Sequence, residues 1–496
     1  MKVLLVYPKI PETFWSFKHA LKFVGKKAAF PPLGLLTVAA LLPESWSKRL
    51  VDLNIQPLKD ADLKWADYVF LSGMTVQRES AREVIKRCNL AGVPVVAGGP
   101  LFTTEHENFE GVAHFVLNEA EITLPLFLAD LEHNRPRHVY RTSEFADLRQ
   151  SPTPLWHLAD MKKYMALSVQ YSRGCPFQCE FCNVTTLFGH RARTKTADQV
   201  LAELDSLHGL GWNGKVFFVD DNLIGNKAQL TKELLPPLIR WQNRVGHMPF
   251  FTQASINLAD SADLMDLMRE AGFESVFIGI ETPSEESLAE CNKKQNTRRD
   301  MIADIKRIQR AGLEVQAGFI VGFDSDTPAI FQRQIDFIQK SGIVVAMVGL
   351  LQAVQGTPLY DRLKLAGRLR GDTSGDNVDG TSNIIPLMDE KLLMAGYHKI
   401  LSAIYSPKNY YARLKTFIGE YRRPKVEEKL SLRRLRAFAR SVLSIGILGR
   451  ERIHYWKVLC WTFFVHPALV SQTVSLAIYG VHFRTVCTLV TRPAKV

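Results

Sequence analysis

The stretch "YSRGCPFQCEFCN", residues 171–183, sets three cysteines in the order C-x3-C-x2-C: Cys175, Cys179 and Cys182. It overlaps the end of "ALSVQYS" (166–172), a short apolar run that reads as a strand. Three thiolates on one short loop can hold a zinc ion or an iron–sulfur cluster. Structural zinc wants four ligands, commonly from two separated pairs, and no second pair exists: Cys88, Cys291, Cys460 and Cys487 each stand alone in the sequence. A four-iron cluster has four corners, so three cysteines leave one iron open to an exogenous ligand.

Downstream of the cysteine loop, five more strand candidates follow: "KVFFVDD" (215–221), "FFTQAS" (250–255), "SVFIGIE" (275–281), "EVQAGFIVG" (314–322) and "VAMVGLLQ" (345–352). Helical segments separate them. "TADQVLAELDSLHGLG", for example, opens on a Thr196 cap and closes at a glycine. Six strand–helix units predict a partial (β/α)6 barrel of the TIM type over 164–370, with chemistry at the carboxyl ends of its strands. The cysteines lie just past the first of those ends.

Upstream, "KVLLVYP" (2–8), "RLVDLN" (49–54), "YVFLSGM" (68–74), "VPVVAGGP" (93–100) and "HFVLNEAE" (114–121) alternate with helical stretches such as 75–92. Continuous apolar strands between amphipathic helices predict a parallel sheet covered on both faces, a Rossmann-like domain over 1–140. Its ligand belongs at the strand ends. Nothing there resembles the pyrophosphate fingerprint G-x-G-x-x-G, which argues against a nicotinamide cofactor. A polar, proline-bearing linker spans 141–163, and a mainly helical, basic region spans 371–496. The fold class is therefore α/β with a helical C-terminal part.

The chain has 496 residues and a formal net charge of +12. From Leu401 onward there are 17 Lys and Arg against 4 Asp and Glu, so the basicity belongs to the tail and the first 400 residues are near neutral. Seven cysteines, three of them clustered, do not make a disulfide framework and suit a reducing cytoplasm. The start, "MKVLLVYPKI", has too short an apolar run for a signal peptide. Residues 458–483 carry no formal charge and could cross a bilayer by length, but Pro467 and scattered polar groups predict a segment lying on a membrane or packed inside protein. The basic stretch "RRPKVEEKLSLRRLRAFAR" (422–440) precedes apolar residues rich in Trp, Phe and Leu, which suits an anionic membrane face. Its aromatics are not interleaved with the basic residues as a nucleic-acid stacking groove requires, so no nucleic acid is expected.

The cysteine spacing, with Phe181 just before the last thiol and a β/α barrel around it, resembles the radical S-adenosylmethionine superfamily. The resemblance implies that the open iron chelates S-adenosylmethionine and that reductive cleavage yields a 5′-deoxyadenosyl radical. It also implies S-adenosylmethionine contacts from Phe181, from Asp220 and Asp221 in "VDDN" (a departure from the family's glycine-rich turn), from Glu281, and from Gly318 and Gly322 in "GFIVGF", with the usual terminal acid displaced to Asp324 or Asp326.

A Rossmann-like unit ahead of such a barrel resembles the cobalamin-binding subgroup. That resemblance implies a nucleotide tail running beside Ser72, Gly73, Gly98 and Gly99, where small residues leave a slot. The D-x-H-x-x-G motif of histidine-ligated cobalamin proteins is absent, so the lower face would meet "SGMTVQRES", with Thr75, Val76 and Gln77 as candidates. Taken together, "YPKIPETFWSF", "PPLGLLTVAALLP", "VDDNLIGNK", "FIGIETP" and "IYSPKNYYAR" are most similar to the hopanoid C-2 methylase group, although Asn183 stands where that group would have aspartate. The implied function is methyl transfer to an unactivated carbon of an apolar, hopanoid-like lipid, with a flavodoxin or ferredoxin as electron donor and a peripheral place at the cytoplasmic membrane face. A non-methylating ring oxidation or cyclisation on the same architecture, and a non-catalytic cobalamin- or metal-binding module, are the rival readings.

Overall fold

The computed structural model describes residues 1–422 and 432–491. Two parallel six-stranded sheets carry the fold. The front sheet holds β1 (Lys2–Tyr7), β2 (Ser47–Asp52), β3 (Tyr68–Ser72), β4 (Val95–Gly98), β5 (His114–Val116) and β6 (Val139–Tyr140), in the order β2-β1-β3-β4-β5-β6. Its central strands read as unbroken apolar runs because helices cover both faces: Val3 and Leu5 pack to one side, Leu4 and Val6 to the other. The strand order reverses between β1 and β3, which opens a crevice at their carboxyl ends, beside Tyr7 and Ser72.

The second sheet is β7 (Leu167–Val169), then, past a two-stranded hairpin of β8 (Ser172–Arg173) and β9 (Arg193–Thr194), β10 (Val216–Phe218), β11 (Phe250–Gln253), β12 (Phe273–Glu281), β13 (Glu314–Val321) and β14 (Ala346–Leu350). All six expected barrel strands are present, ordered β14-β13-β12-β11-β10-β7. The edge strands β7 and β14 do not pair, so the barrel is partial. The Thr196 hydroxyl accepts from Gln199 N and caps the helix Ala197–Gly209, as its sequence predicts.

Two expectations need correction. The run "HFVLNEAE" is a strand only to Val116, and Ala120 already begins a helix. The expected helix over 75–92 begins at Arg78, behind a short 3-10 turn. Strand β6 and the β8–β9 hairpin have too few residues to show a period.

The open side of the barrel is closed from two directions. The loop after β1 folds into it, and α1 (Lys18–Val24) packs on the C-terminal helices α2 (Leu432–Ser441) and α4 (Val470–Thr491), the latter also resting on α3 (Arg452–Val465). Phe14 stacks on Phe483 at 4.1 Å, and the neutral His482 ring donates to Phe14 O at 2.9 Å. Of the uncharged stretch 458–483, the part in α4 is thus packed inside protein; Pro467–Thr491 is long and apolar enough to cross a membrane by composition, yet 56% of its apolar 18-residue window is buried here. Within the basic stretch 422–440, residues 423–431 lie outside the described residues.

Candidate active site

Between the carboxyl ends of the two sheets lies a cavity of about 1360 Å³ that continues down the barrel interior. That exceeds the ~300–1000 Å³ of a typical small-molecule pocket. Its roof is the front domain, and a buried ion-pair network fixes the two domains across it. Arg173, in the hairpin after β7, bonds Glu119 at 2.9 Å and Glu121 at 2.8 Å, both just past β5, while Arg193 also reaches Glu119 at 3.0 Å. Burial would raise the Glu121 carboxyl, but the Arg173 guanidinium prevails and holds it down at about 2.

The cysteine loop is stapled from several sides. Glu180, inside the motif, donates its N–H to Cys291 O, accepts at its own carbonyl from Leu359 N, and takes Arg362 Nε on its carboxylate at 2.6 Å. Asn292 Nδ2 bonds Gln178 O at 2.8 Å, and Gln295 Nε2 approaches Cys179 Sγ at 3.8 Å. Burial pushes the Cys182 thiol up to about 12 and raises Cys175 as well. Such thiols stay protonated until a metal displaces the proton. Among the described residues no three His, Cys, Asp or Glu side chains converge on one ion; a cubane instead spreads its thiolates over separate irons. Cys291 comes close to this loop through its backbone, but its thiol points to Leu288 O and packs with Phe323, Leu351 and Leu359, so it is core rather than ligand.

Not every expected contact residue faces the cavity. Phe181, Cys182, Asp221 and Glu281 line it. Asp220 does not: its carboxylate takes the backbone N–H groups of Tyr171 and Ser172 and the Ser172 hydroxyl, and burial raises it to about 7. It ties β10 to the start of the cysteine loop. Asp221 accepts from Gly174 N at 3.2 Å, with burial raising its carboxyl to about 6. Gly318 is covered, because a Cβ there would meet the Phe277 ring at 3.1 Å. Gly322 makes a left-handed turn, with φ +101, at the end of β13. The acids beyond it serve the protein: Asp326 accepts from Gly322 N, Phe323 N and Ser287, and Asp324 pairs with Arg362 and Arg368.

In the roof, Ser72, Gly73, Thr75, Val76, Gly98 and Gly99 all line the cavity. Gln77 does not, since Oε1 accepts from Met74 N and Nε2 donates to Pro8 O, which makes it a brace between the β1 and β3 ends. The glycines differ in kind. A Cβ on Gly98 would sit 2.4 Å from Val116 O, so sheet packing alone demands glycine there. A Cβ on Gly73 would meet Gln77 and Pro8 at 3.5 Å and beyond, ordinary contacts, so packing does not demand glycine at this cavity-lining position. Asn118, at the end of β5, lines the same space with a buried Oδ1 that has no protein partner. A large ligand bearing amide donors fits this roof.

Sequence reasoning missed Asn118, Lys293 and Trp15. Lys293 Nζ bonds Glu281 at 2.6 Å and lies 5.9 Å from the Phe181 ring centre. Its pKa is raised by the charges of Glu281 and Cys179, which outweigh burial. Trp15 Nε1 donates to Met347 Sδ at 3.0 Å from a loop far away in sequence. None of the three carries a local signal.

Comparison with known proteins agrees with this geometry. Residues 27–128 match the B12 binding domain, 169–338 the radical S-adenosylmethionine superfamily, and 357–495 a domain of unknown function, DUF4070. An uncharacterized methyltransferase of Synechocystis is 39% identical over 97% of this chain and 91% of its own length. The hopanoid C-2 methylase of Rhodopseudomonas palustris is 36% identical over 92% and 88% respectively. The cobalamin-dependent radical enzyme OxsB has the same fold, with a TM-score of 0.63 at 14% identity, over 99% of this chain and 80% of its own.

The chain belongs to the cobalamin-binding radical S-adenosylmethionine family. Within it, the protein stands with the hopanoid C-2 methylase group. It is a cobalamin-dependent radical S-adenosylmethionine methyltransferase whose cofactors are a four-iron, four-sulfur cluster, S-adenosylmethionine and cobalamin. It needs a small-molecule substrate and an electron donor.

Proposed function

We propose that this enzyme methylates an unactivated sp3 carbon of an apolar, hopanoid-like lipid. The observation that carries the reading is the barrel wall. Phe217 stacks on Phe251 at 4.8 Å, Phe30 leans on both, and Trp15 meets Phe277 edge-on at 5.3 Å, all lining the cavity. Aromatic faces of this extent suit a rigid hydrocarbon body and offer little to an anionic one. When bound, S-adenosylmethionine on the cluster supplies a hydrogen-abstracting radical and cobalamin supplies the methyl group.

The chain's own residues arrange that chemistry. Cys175, Cys179 and Cys182 hold the cluster and leave one iron open. Phe181, Asp221 and Glu281 flank S-adenosylmethionine, with Lys293 fixing Glu281. Ser72, Gly73, Gly98, Gly99 and Asn118 take the cobalamin tail, and Thr75 and Val76 pass near its lower face. The aromatic wall excludes water from a radical that would otherwise be quenched. A flavodoxin or ferredoxin serves as the donor.

The lipid substrate also accounts for the C-terminal surface. Leu443, Ile447 and Leu448 are exposed between Arg434, Arg436 and Arg440 on one side and Arg450 and Arg452 on the other, and exposed Ile453 follows, between Arg452 and Lys457. Apolar side chains flanked by cations suit contact with the anionic cytoplasmic face of a membrane. Lipid extracts of cells with and without the protein test the substrate: one polycyclic lipid should gain a single methyl group only where the protein is present, and unchanged extracts would count against it.

A further inference from the structure

At the amino ends of the barrel strands the cavity changes character. Lys215, just before β10, Ser275, near the start of β12, Gln316, near the start of β13, and Tyr479, on α4, all line it there. Ser275 and Glu281 are six residues apart on β12, so this floor lies ~20 Å below the ring of chemistry at the carboxyl ends. Behind it, Glu274 pairs with Lys215 at 3.2 Å. Glu314 accepts from Gln316 Nε2 at 3.0 Å and from Gln472 Nε2.

These contacts leave specific atoms unused. Among the described residues, no protein group bonds the Tyr479 hydroxyl, the Ser275 hydroxyl or the Gln316 side-chain oxygen, and Lys215 has one carboxylate for three N–H donors. Tyr479 feels the charges of Lys215, Glu314 and Glu274, so the groups form one cluster. A purely hydrocarbon ligand would bury these polar atoms with nothing to bond. Glu274 is shared by Lys215 and by His247 Nε2 at 3.3 Å, and Glu314 stands beside them, so an anionic end would meet an ammonium already paired and two acids next to it.

We propose that the cavity floor is a subsite for the neutral, hydroxyl-bearing end of an elongated substrate whose apolar body fills the aromatic barrel above. Lys215 and Tyr479 donate to substrate hydroxyls, and Gln316 and Ser275 accept from them. Tyr479 and Gln472 come from the DUF4070 segment, so that segment both closes the barrel and selects the substrate end. This assignment rests on the apolar-lipid reading given above.

Equilibrium dialysis with cobalamin-loaded protein tests it, using three probes on one hopane skeleton: the hydrocarbon, a form with a terminal hydroxylated chain, and a form ending in carboxylate. The hydroxylated probe should bind about tenfold or more tightly than either other probe. The double variant Tyr479→Phe, Ser275→Ala removes two of the four partners and should cut that preference several-fold while leaving hydrocarbon affinity unchanged. Equal binding of all three probes by the native protein, or a preference undiminished in the variant, overturns the subsite alone. If none of the three binds, both the subsite and the apolar-lipid reading fall.

Discussion

Lys293 Nζ lies 2.6 Å from Glu281 Oε1, and Glu281 itself holds a left-handed backbone, with φ 64, at the last residue of β12. A non-glycine residue in that conformation at the end of a barrel strand costs energy that the ion pair helps offset. The pair stands beside Phe181 of the cysteine loop, so in the proposed arrangement it would join the cluster to the S-adenosylmethionine side of the cavity. Lys293→Met leaves a carboxylate buried without its cation, a loss on the order of 3 kcal/mol. The expected result is a lower melting temperature together with reduced 5′-deoxyadenosine formation. Full activity in this variant would remove the pair from the site.

Cluster assembly should distinguish the four cysteines of this region. Cys175→Ala, Cys179→Ala and Cys182→Ala should each lose most of the bound iron after anaerobic reconstitution. Cys291→Ala should retain it, because that thiol faces Leu288 O in an apolar pocket. Iron loss in Cys291→Ala comparable to that in the other three would mean a fourth protein ligand.

The roof glycines predict two different failures. Gly98→Ala drives a Cβ against Val116 O and should cost roughly 1–3 kcal/mol of stability. Gly73 lines the cavity and a Cβ there lies at ordinary contact distance from Gln77 and Pro8, so Gly73→Leu should melt close to the native protein while cobalamin retention drops at least tenfold. Thermal melts paired with the corrinoid absorbance of the purified variants check both.

Acid should loosen the joint between the domains. The Glu121 carboxyl is held at about 2 against an ordinary value of 4.5. A depressed carboxyl contributes stability that is present above pH 4.5 and is lost as pH falls toward 2, up to about 3 kcal/mol here. Melting temperature should fall more steeply over that window in the native protein than in Glu121→Gln.

The membrane reading predicts that flotation with anionic phospholipid vesicles weakens about tenfold in a Leu448→Asp, Ile453→Asp double variant and also at high salt. Both side chains are more than half exposed, at 73% and 61%, so folding should not suffer. Undiminished flotation would place the contact elsewhere or nowhere.

The sheets and the cluster loop were legible because their signals are local: apolar runs of strand length, the Thr196 cap, and three thiols within eight residues. What was not legible depends on which distant segments meet. Asp220 and Asp221 are neighbours in sequence, yet one ties a loop and the other faces the cavity, and nothing in their residue type separates the two roles. Gln77 resembles a ligand contact until its amide is found bonded to Pro8. The burial of Trp15 in the barrel and of His482 against Phe14 joins residues hundreds of positions apart, for which no period or motif exists.

Methyl transfer to lipid is tested most directly by incubating the cobalamin-loaded enzyme, under anaerobic reduction, with methyl-labelled S-adenosylmethionine and a total lipid extract from cells lacking the protein. The account predicts that label enters one apolar polycyclic product and that 5′-deoxyadenosine forms in equal amount. Deoxyadenosine formed with no label in any lipid would contradict it.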